Sequence, residues 1–289
     1  MYQKFTLKNY RATFFNLFTA IVLLSAFGIQ KAEAGAWPVR PGKVLVSLTG
    51  SYFNANQIWD KYGKKSDYPD GGYYRSYGLS LYAEIGVSRN LTLVTSIPYI
   101  SNTFTNNTYK STGSGLGDAE IGGRIYITNI KFKFYLAAQG TIIVPMYTNN
   151  TNGRNLGYQA FGTDAKIIGS GSGKMGGTKS FYYTVEAGAR QYSSGEGPVQ
   201  LRGTASFGLN LDPKNQISLS GAGVYSSSDD KTFTGNIAQV KDFSYVQASI
   251  NGGHSFTRDF SVFVGYSQFF VGSNTGVGSN FTVSLVNKF

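Results

Sequence analysis

The chain has 289 residues, no cysteine and a formal net charge of +11, which excludes disulfides and thiolate chemistry and fits a single domain. Glycine (37), tyrosine (21) and phenylalanine (21) are abundant while only 14% of residues are charged, a balance that disfavours helices and favours strands. The mean hydropathy of −0.16 suits a soluble protein, yet it is also the average of transmembrane strands that alternate polar and apolar residues.

Residues 1–34 have the layout of a secretory signal peptide. Lys4, Lys8 and Arg11 form a basic leader before the apolar run Phe14–Phe27, which is shorter than the roughly 20 residues a transmembrane helix needs. Ala32-Glu33-Ala34 places small residues where a signal peptidase reads, so cleavage is expected before Gly35 and residues 35–289 form the mature domain. Removing Lys4, Lys8, Arg11, Lys31 and Glu33 takes away four positive charges and one negative, leaving +8. On an exported protein that excess suits anionic lipopolysaccharide or a pore wall better than nucleic acid.

After Gly35–Pro41, whose two prolines bar a central strand, twelve alternating segments follow. They are Val44–Asn54, Tyr74–Val87, Leu91–Ser101, Gly117–Thr128, Phe132–Val144, Gln159–Gly169, Ser180–Gln191, Leu201–Leu211, Gln216–Tyr225, Phe243–Phe256, Phe260–Val271 and Phe281–Phe289. The second is the clearest: Tyr77, Leu79, Leu81, Ala83, Ile85 and Val87 share one parity, and Gly78, Ser80, Tyr82, Glu84 and Gly86 the other. Period-two alternation is what a strand shows when one face meets apolar surroundings and the other water.

The connectors also alternate. Longer polar stretches (Ala55–Gly72, Asn102–Leu116, Pro145–Tyr158, Ser226–Asp242, Gly272–Ser279) follow the odd-numbered strands, with a short connector, Tyr192–Gln200, after the seventh. Short turns such as Ser88-Arg89-Asn90, Asp212-Pro213-Lys214-Asn215 and Thr257-Arg258-Asp259 follow the even ones, the Gly/Ser bridge Ser170–Gly177 excepted. A soluble β-sandwich has no reason to alternate in this way. The pattern predicts an all-β fold: a monomeric, transmembrane, antiparallel up-and-down β-barrel of about 12 strands, with short periplasmic turns, long outer loops and both termini periplasmic.

Charges within the predicted strands identify the inner face. Glu84, Asp118, Glu120, Arg124, Lys133, Asp164, Lys166, Glu186, Arg190 and Arg202 all have the parity opposite the apolar side. A lipid-facing Arg or Lys near the midplane costs about 2–4 kcal/mol, so these ten are expected to line the lumen. Both signs occur, which suits either a hydrated, selective channel or ion pairs that satisfy one another. Small inner residues (Gly78, Ser80, Gly86, Ser206, Gly208, Ser218, Ser220, Ala222) leave space, whereas Tyr82, Tyr126, Tyr135 and Tyr182 fill it, and loops folding inward would plug it.

Catalytic chemistry finds little support. The single histidine, His254, stands beside Ser255 near a predicted periplasmic turn, the wrong end and spacing for a barrel phospholipase. One histidine without cysteines cannot build a typical zinc site. Asp229-Asp230 reads as a solvated loop pair, and Gly113–Gly117 precedes a strand rather than a helix, so it is no phosphate loop. No cofactor is expected.

The chain ends FTVSLVNKF, with Phe281, Val283, Leu285 and Phe289 on one face. This resembles the C-terminal signal of bacterial outer-membrane barrels, which close on an outward-facing phenylalanine recognised by the barrel-assembly machinery; Asn287 departs from the pattern, where an apolar or aromatic residue is usual. Pro98-Tyr99 followed by Gly115-Leu116-Gly117-Asp118 resembles the "P-Y … G-x-G-D" pair of the outer-membrane family known from meta-pathway phenol degradation, over roughly Leu79–Tyr126. That resemblance implies an outer-membrane barrel passing small, often hydrophobic compounds. The expected function is passive passage of small solutes, hydrophobic or aromatic ones among them. A structural or adhesive barrel whose loops bind partners is the alternative, and a membrane-embedded hydrolase the weakest reading.

Overall fold

A computed structural model describes residues 35–289 except 132, 149–155, 177–178, 195 and 234–236; the expected signal segment 1–34 lies outside the described residues. The strands are β1 (Val44–Trp59), β2 (Lys65–Asp67), β3 (Tyr73–Gly86), β4 (Leu91–Thr105), β5 (Lys110–Leu116), β6 (Asp118–Ile130), β7 (Phe134–Pro145), β8 (Gly162–Met175), β9 (Lys179–Tyr192), β10 (Val199–Asn210), β11 (Asn215–Ser227), β12 (Phe243–Ser255), β13 (Phe260–Ser273) and β14 (Thr275–Lys288). Twelve of them form the wall, each antiparallel to its neighbours; β2 and β5 are short additions to β1 and β4. The last strand pairs with the first, from Leu45 opposite Lys288 to Trp59 opposite Thr275. The sheet therefore closes as an antiparallel 12-stranded barrel, which leaves no edge along that seam.

The alternating pattern produces the two faces. Leu79, Leu81, Ile85, Ile121, Ile125, Ile142, Ile167, Leu201, Leu219 and Phe281 all project outward and are each more than 40% exposed. A continuous apolar belt of this kind is untenable in water and natural in lipid. Among the described residues no helix is long and apolar enough to cross a membrane.

Several stretches that read as loops are strand. Residues 170–175 of the Gly/Ser bridge belong to β8, which runs to Met175, and β9 begins at Lys179, so this connector is short like its neighbours. Glycine there is tolerated because rings replace the missing side chains: Phe134 lies over Gly169 and Tyr183 over Gly171, the two rings stacked 6.5 Å apart. Gly272–Ser279 belongs to β13 and β14, separated by Asn274 alone in a left-handed conformation (φ +49°). Much of Asn102–Leu116 is a hairpin of β4 with β5. Cross-strand pairing outweighs the loop-like composition in each case.

The β4 wall changes partner midway. Leu91–Ser96 pairs with β6, whereas Tyr99–Thr105 pairs with β5. Pro98 stands at the changeover, where its missing N–H costs no ladder bond, and its carbonyl accepts from the Gly117 amide at 2.7 Å. Lys133 corrects the sequence reading: it lies in the exposed turn between β6 and β7, its amide bonded to the Ile130 carbonyl at 3.0 Å, and not in a strand. A strand boundary read from sequence slips easily by such a margin.

Candidate functional site

Inside the barrel the strand charges meet in pairs. Arg124 on β6 reaches Glu84 on β3 at 2.9 Å. Arg190 on β9 bonds Asp164 on β8 at 3.0 Å and also the Glu120 carboxylate on β6. Arg202 on β10 reaches the same Asp164 oxygen at 3.1 Å, and Lys166 on β8 pairs with Glu186 on β9 at 2.7 Å. Strands β6 and β9 are separated by β7 and β8, so the Arg190–Glu120 contact can form only across the interior. The network holds four carboxylates and four cations, and so is neutral. Around it lies a cavity of about 120 Å³ bordered by Glu120, Gln139, Asp164, Lys166, Glu186 and Arg202.

Burial differs sharply within the ring. The Arg124 and Glu84 side chains are only 6% and 10% exposed, whereas Arg202 is 43% exposed although it faces inward. Arg124 is bonded at all three nitrogens: besides Glu84 and the Gly35 carbonyl it donates to Gln139 Oε1 (3.1 Å) and the Tyr82 hydroxyl (3.1 Å). The Tyr82 hydroxyl in turn donates to Glu84 at 2.6 Å. Breaking such a buried, multiply bonded pair leaves an uncompensated charge at a cost of about 3–5 kcal/mol. Asp118 stands apart from the ring at the first position of β6 and takes a hydrogen bond from the Tyr147 hydroxyl.

The first described residues occupy the interior. Arg124 Nη1 donates to the Gly35 carbonyl at 2.9 Å, the Ala36 amide donates to Ser170 Oγ at 2.8 Å, and the Val39 amide to Thr92 Oγ1 at 3.2 Å. Ala36 is fully buried against Ala137 and Ile168, and Trp37 packs on Tyr135 with ring centres 5.9 Å apart. The segment then leaves along β3, where the Gly42 amide bonds the Gly86 carbonyl at 2.9 Å. Gly86 is required here: a Cβ on it would stand 2.1 Å from the Arg40 carbonyl oxygen. Residues 35–43 thus obstruct the end of the lumen at which the chain terminus Phe289 also lies.

The opposite mouth is covered by residues 228–233 and 237–242 of the β11–β12 connector. Its Phe233, Ile237 and Ala238 pack against Ala55, Ile58, Tyr68 and Tyr74. Its buried Val240 offers a carbonyl to the Tyr158 hydroxyl at 2.9 Å. Lys241 fastens it to Glu196 (3.3 Å) and, within the connector, pairs with Asp230 (3.1 Å). Beneath this cover a line of inward rings crosses four strands. Tyr245 stacks on Phe269 at 4.4 Å and 13°, Phe243 lies 6.1 Å from Tyr245, and Phe53 joins Phe269 (5.5 Å) to Tyr74 (6.1 Å).

Sequence parity placed nine of the ten charges within strands but could not say which would be sealed and which open. It missed the inserted segment and the aromatic line. The apolar Phe233, Ile237 and Val240 in an otherwise polar stretch were the available signal for the mouth cover. His254 bonds Asn215 through Nδ1 at 2.8 Å, while Ser255 bonds Ser261 at 2.9 Å, so the two do not form a nucleophile–base pair. Among the described residues no cluster of His, Cys, Asp and Glu is arranged to hold a metal.

Comparison with solved structures places this architecture among outer-membrane barrels. The COG4313 outer membrane channel from Pseudomonas putida F1 superimposes with a TM-score of 0.65 at 14% identity, covering 90% of this chain and 100% of that one. The NanC porin gives 0.51 at 8% identity over 84% of this chain and 100% of that one. The transport unit of the autotransporter AIDA-I from Escherichia coli gives 0.50 at 10% identity over 94% and 96%. At these identities the likeness is one of fold. No sequence-family model and no curated protein matches the chain.

Proposed function

We propose that the barrel lies in the outer membrane, with both termini and the short turns on the periplasmic side, and passes small uncharged solutes, aromatic ones among them. The observation that carries this reading is the charge balance of the ion-paired ring: four cations are matched by four carboxylates, with Asp118 outside it, so the ring offers a polar path with little preference for either ionic sign. The line of rings Phe243–Tyr245–Phe269–Phe53–Tyr74, stacked from Phe243 to Phe269 and tilted or edge-on beyond, supplies faces on which a flat apolar solute can rest. Twelve strands enclose more space than eight, whose interior side chains fill, and less than the 16–18 of wide aqueous porins. Residues 35–43, and 228–233 with 237–242, narrow the two ends, so passage requires both to shift.

The resemblance of Pro98-Tyr99 and Gly115–Asp118 to the phenol-degradation family supports the same solute class. In the structure these residues meet at the changeover of β4 from β6 to β5. Removal of residues 1–34 before Gly35 belongs to this reading, and sequencing the N-terminus of the membrane-bound protein tests it.

The deciding experiment is flux into liposomes containing the purified barrel, comparing benzyl alcohol, benzoate and benzylamine. The neutral alcohol should enter faster than either ion, and Tyr245→Ala with Phe269→Ala should slow it without affecting glycerol. Equal exclusion of all solutes, together with no conductance in planar bilayers, would favour the adhesive reading.

A further inference from the structure

The outer wall carries a second feature unrelated to the lumen. A cleft of about 420 Å³, lined mainly by Asn54, Asn56, Gln57, Asp67, Gln268 and Ser279, opens on the outward face where β13, β14, β1 and β2 meet. That size falls in the range of small-molecule sites. A bulge between Ala55 and Gln57 turns Asn56 and Gln57 toward solvent, and both are exposed.

Its height on the barrel is set by the residues beneath it. Two positions down each strand on the same face stand Tyr52 below Asn54, Tyr266 below Gln268 and Phe281 below Ser279. Tyr77 is likewise next to Arg75, which pairs with Asn54. Tyr77, Tyr266 and Phe281 are 57%, 48% and 47% exposed, and Tyr52 lies 5.0 Å from Tyr77. Exposed aromatics in a row at the end of an apolar wall mark the interface between hydrocarbon and headgroups. The cleft lies within this aromatic belt, since Phe270, two positions beyond Gln268, is exposed as well, and so at the boundary with the headgroups.

We propose that this cleft holds the sugar headgroup of an outer-leaflet glycolipid. Apart from Val277, the lining is made of amides, a hydroxyl and one carboxylate, the groups that exchange hydrogen bonds with sugar hydroxyls and amines. Gln57 Nε2 already donates to Asp67 Oδ1 at 2.8 Å, and Arg75 Nε to Asn54 Oδ1 at 3.3 Å. These contacts fix both side chains and leave the Asn54 amide hydrogens to donate. Tyr266 likewise orients Gln268 by donating to its Oε1 at 2.9 Å. Asp67 opposes a phosphate in the cleft itself, so recognition falls on the sugar. The glycolipid source rests on the proposed orientation, with the β1–β2 hairpin outside the cell; the affinity measurement below does not.

The test is native mass spectrometry of the full-length barrel in mild detergent, titrated with lipid A and separately with phosphatidylglycerol. Wild type should bind one lipid A with clear preference over phosphatidylglycerol. Asn54→Leu with Gln268→Leu should weaken lipid A binding about tenfold, the factor expected from losing two ordinary hydrogen bonds. Asp67→Asn, which keeps the shape of the cleft, serves as a second variant and should weaken it less. Heat-modifiable migration on a gel verifies that each variant folds. Unchanged lipid A affinity in both variants overturns the proposal, as does equal binding of the two lipids or pairing of two barrels through the cleft. Labelling of Lys61 and Lys64 in intact cells tests the orientation by itself.

Discussion

The Arg124 guanidinium donates to the Gly35 carbonyl at 2.9 Å across 89 positions of sequence, tying the inserted N-terminal segment to a side chain that is itself part of the buried pair with Glu84. The closure at this end is therefore built on the wall's best-satisfied charge. Replacing Arg124 would strand Glu84 and confuse gating with misfolding.

Gly86→Val separates the two. A Cβ at this position meets the Arg40 and Val39 carbonyl oxygens at 2.1 and 2.6 Å, so the segment must move while the Arg124–Glu84 pair stays. Conductance in planar bilayers should rise several-fold over wild type with heat-modifiable migration preserved. Unchanged conductance in a folded variant would show that residues 35–43 do not limit passage.

Arg202 tests the electrostatic part. Its side chain is 43% exposed and shares Asp164 with Arg190, so Arg202→Glu leaves Asp164 paired while shifting the ring by two charges. Reversal potentials in a salt gradient should move toward cation selectivity, and more so at low ionic strength because screening is weaker there. An unchanged reversal potential would place the conduction path away from Arg202.

How much of this was legible beforehand follows from what alternation encodes. Leu79 and Leu81 against Tyr82 and Glu84 disclose a wall and its inner face, because a strand's period of two is fixed by the backbone. Alternation carries no information on what enters the lumen. Residues 35–43 have two prolines and no period, so their seat against Ser170 and Thr92 depends on contacts 134 and 53 positions away. Lys133 shows the other limit. Its parity suited the lumen, but parity means nothing one residue beyond the strand end.

The mouth cover should respond to acid in a defined window. Hydrogen bonds from Thr232 and Lys241 hold Asp230 at about 2, below its ordinary 3.8. A carboxyl lowered on folding contributes its full share above the ordinary value and loses it as pH falls through the lowered one. Single-channel conductance should thus be constant from pH 7 to about 4 and rise toward pH 2. Lys241→Met, which removes the contacts to Asp230 and Glu196, should produce the open behaviour already at pH 7. A variant that stays as closed as wild type would free the connector 228–242 from any gating role.

The chain's last residue supports a separation of folding from assembly. Phe289 exchanges backbone hydrogen bonds with Val44, at 2.8 Å from its amide and 3.2 Å to its carbonyl, while the residue is 62% exposed. Phe289→Ala keeps both backbone bonds and loses only the ring. It should refold into lipid vesicles as wild type does, since no assembly factor is present there. In cells it should accumulate poorly and be degraded in the periplasm, with Phe289→Tyr restoring the level. The comparison isolates what the ring does: equal defects in vesicles and cells would make it a packing residue at the β1–β14 seam, and equal success in both would remove it from recognition by the assembly machinery.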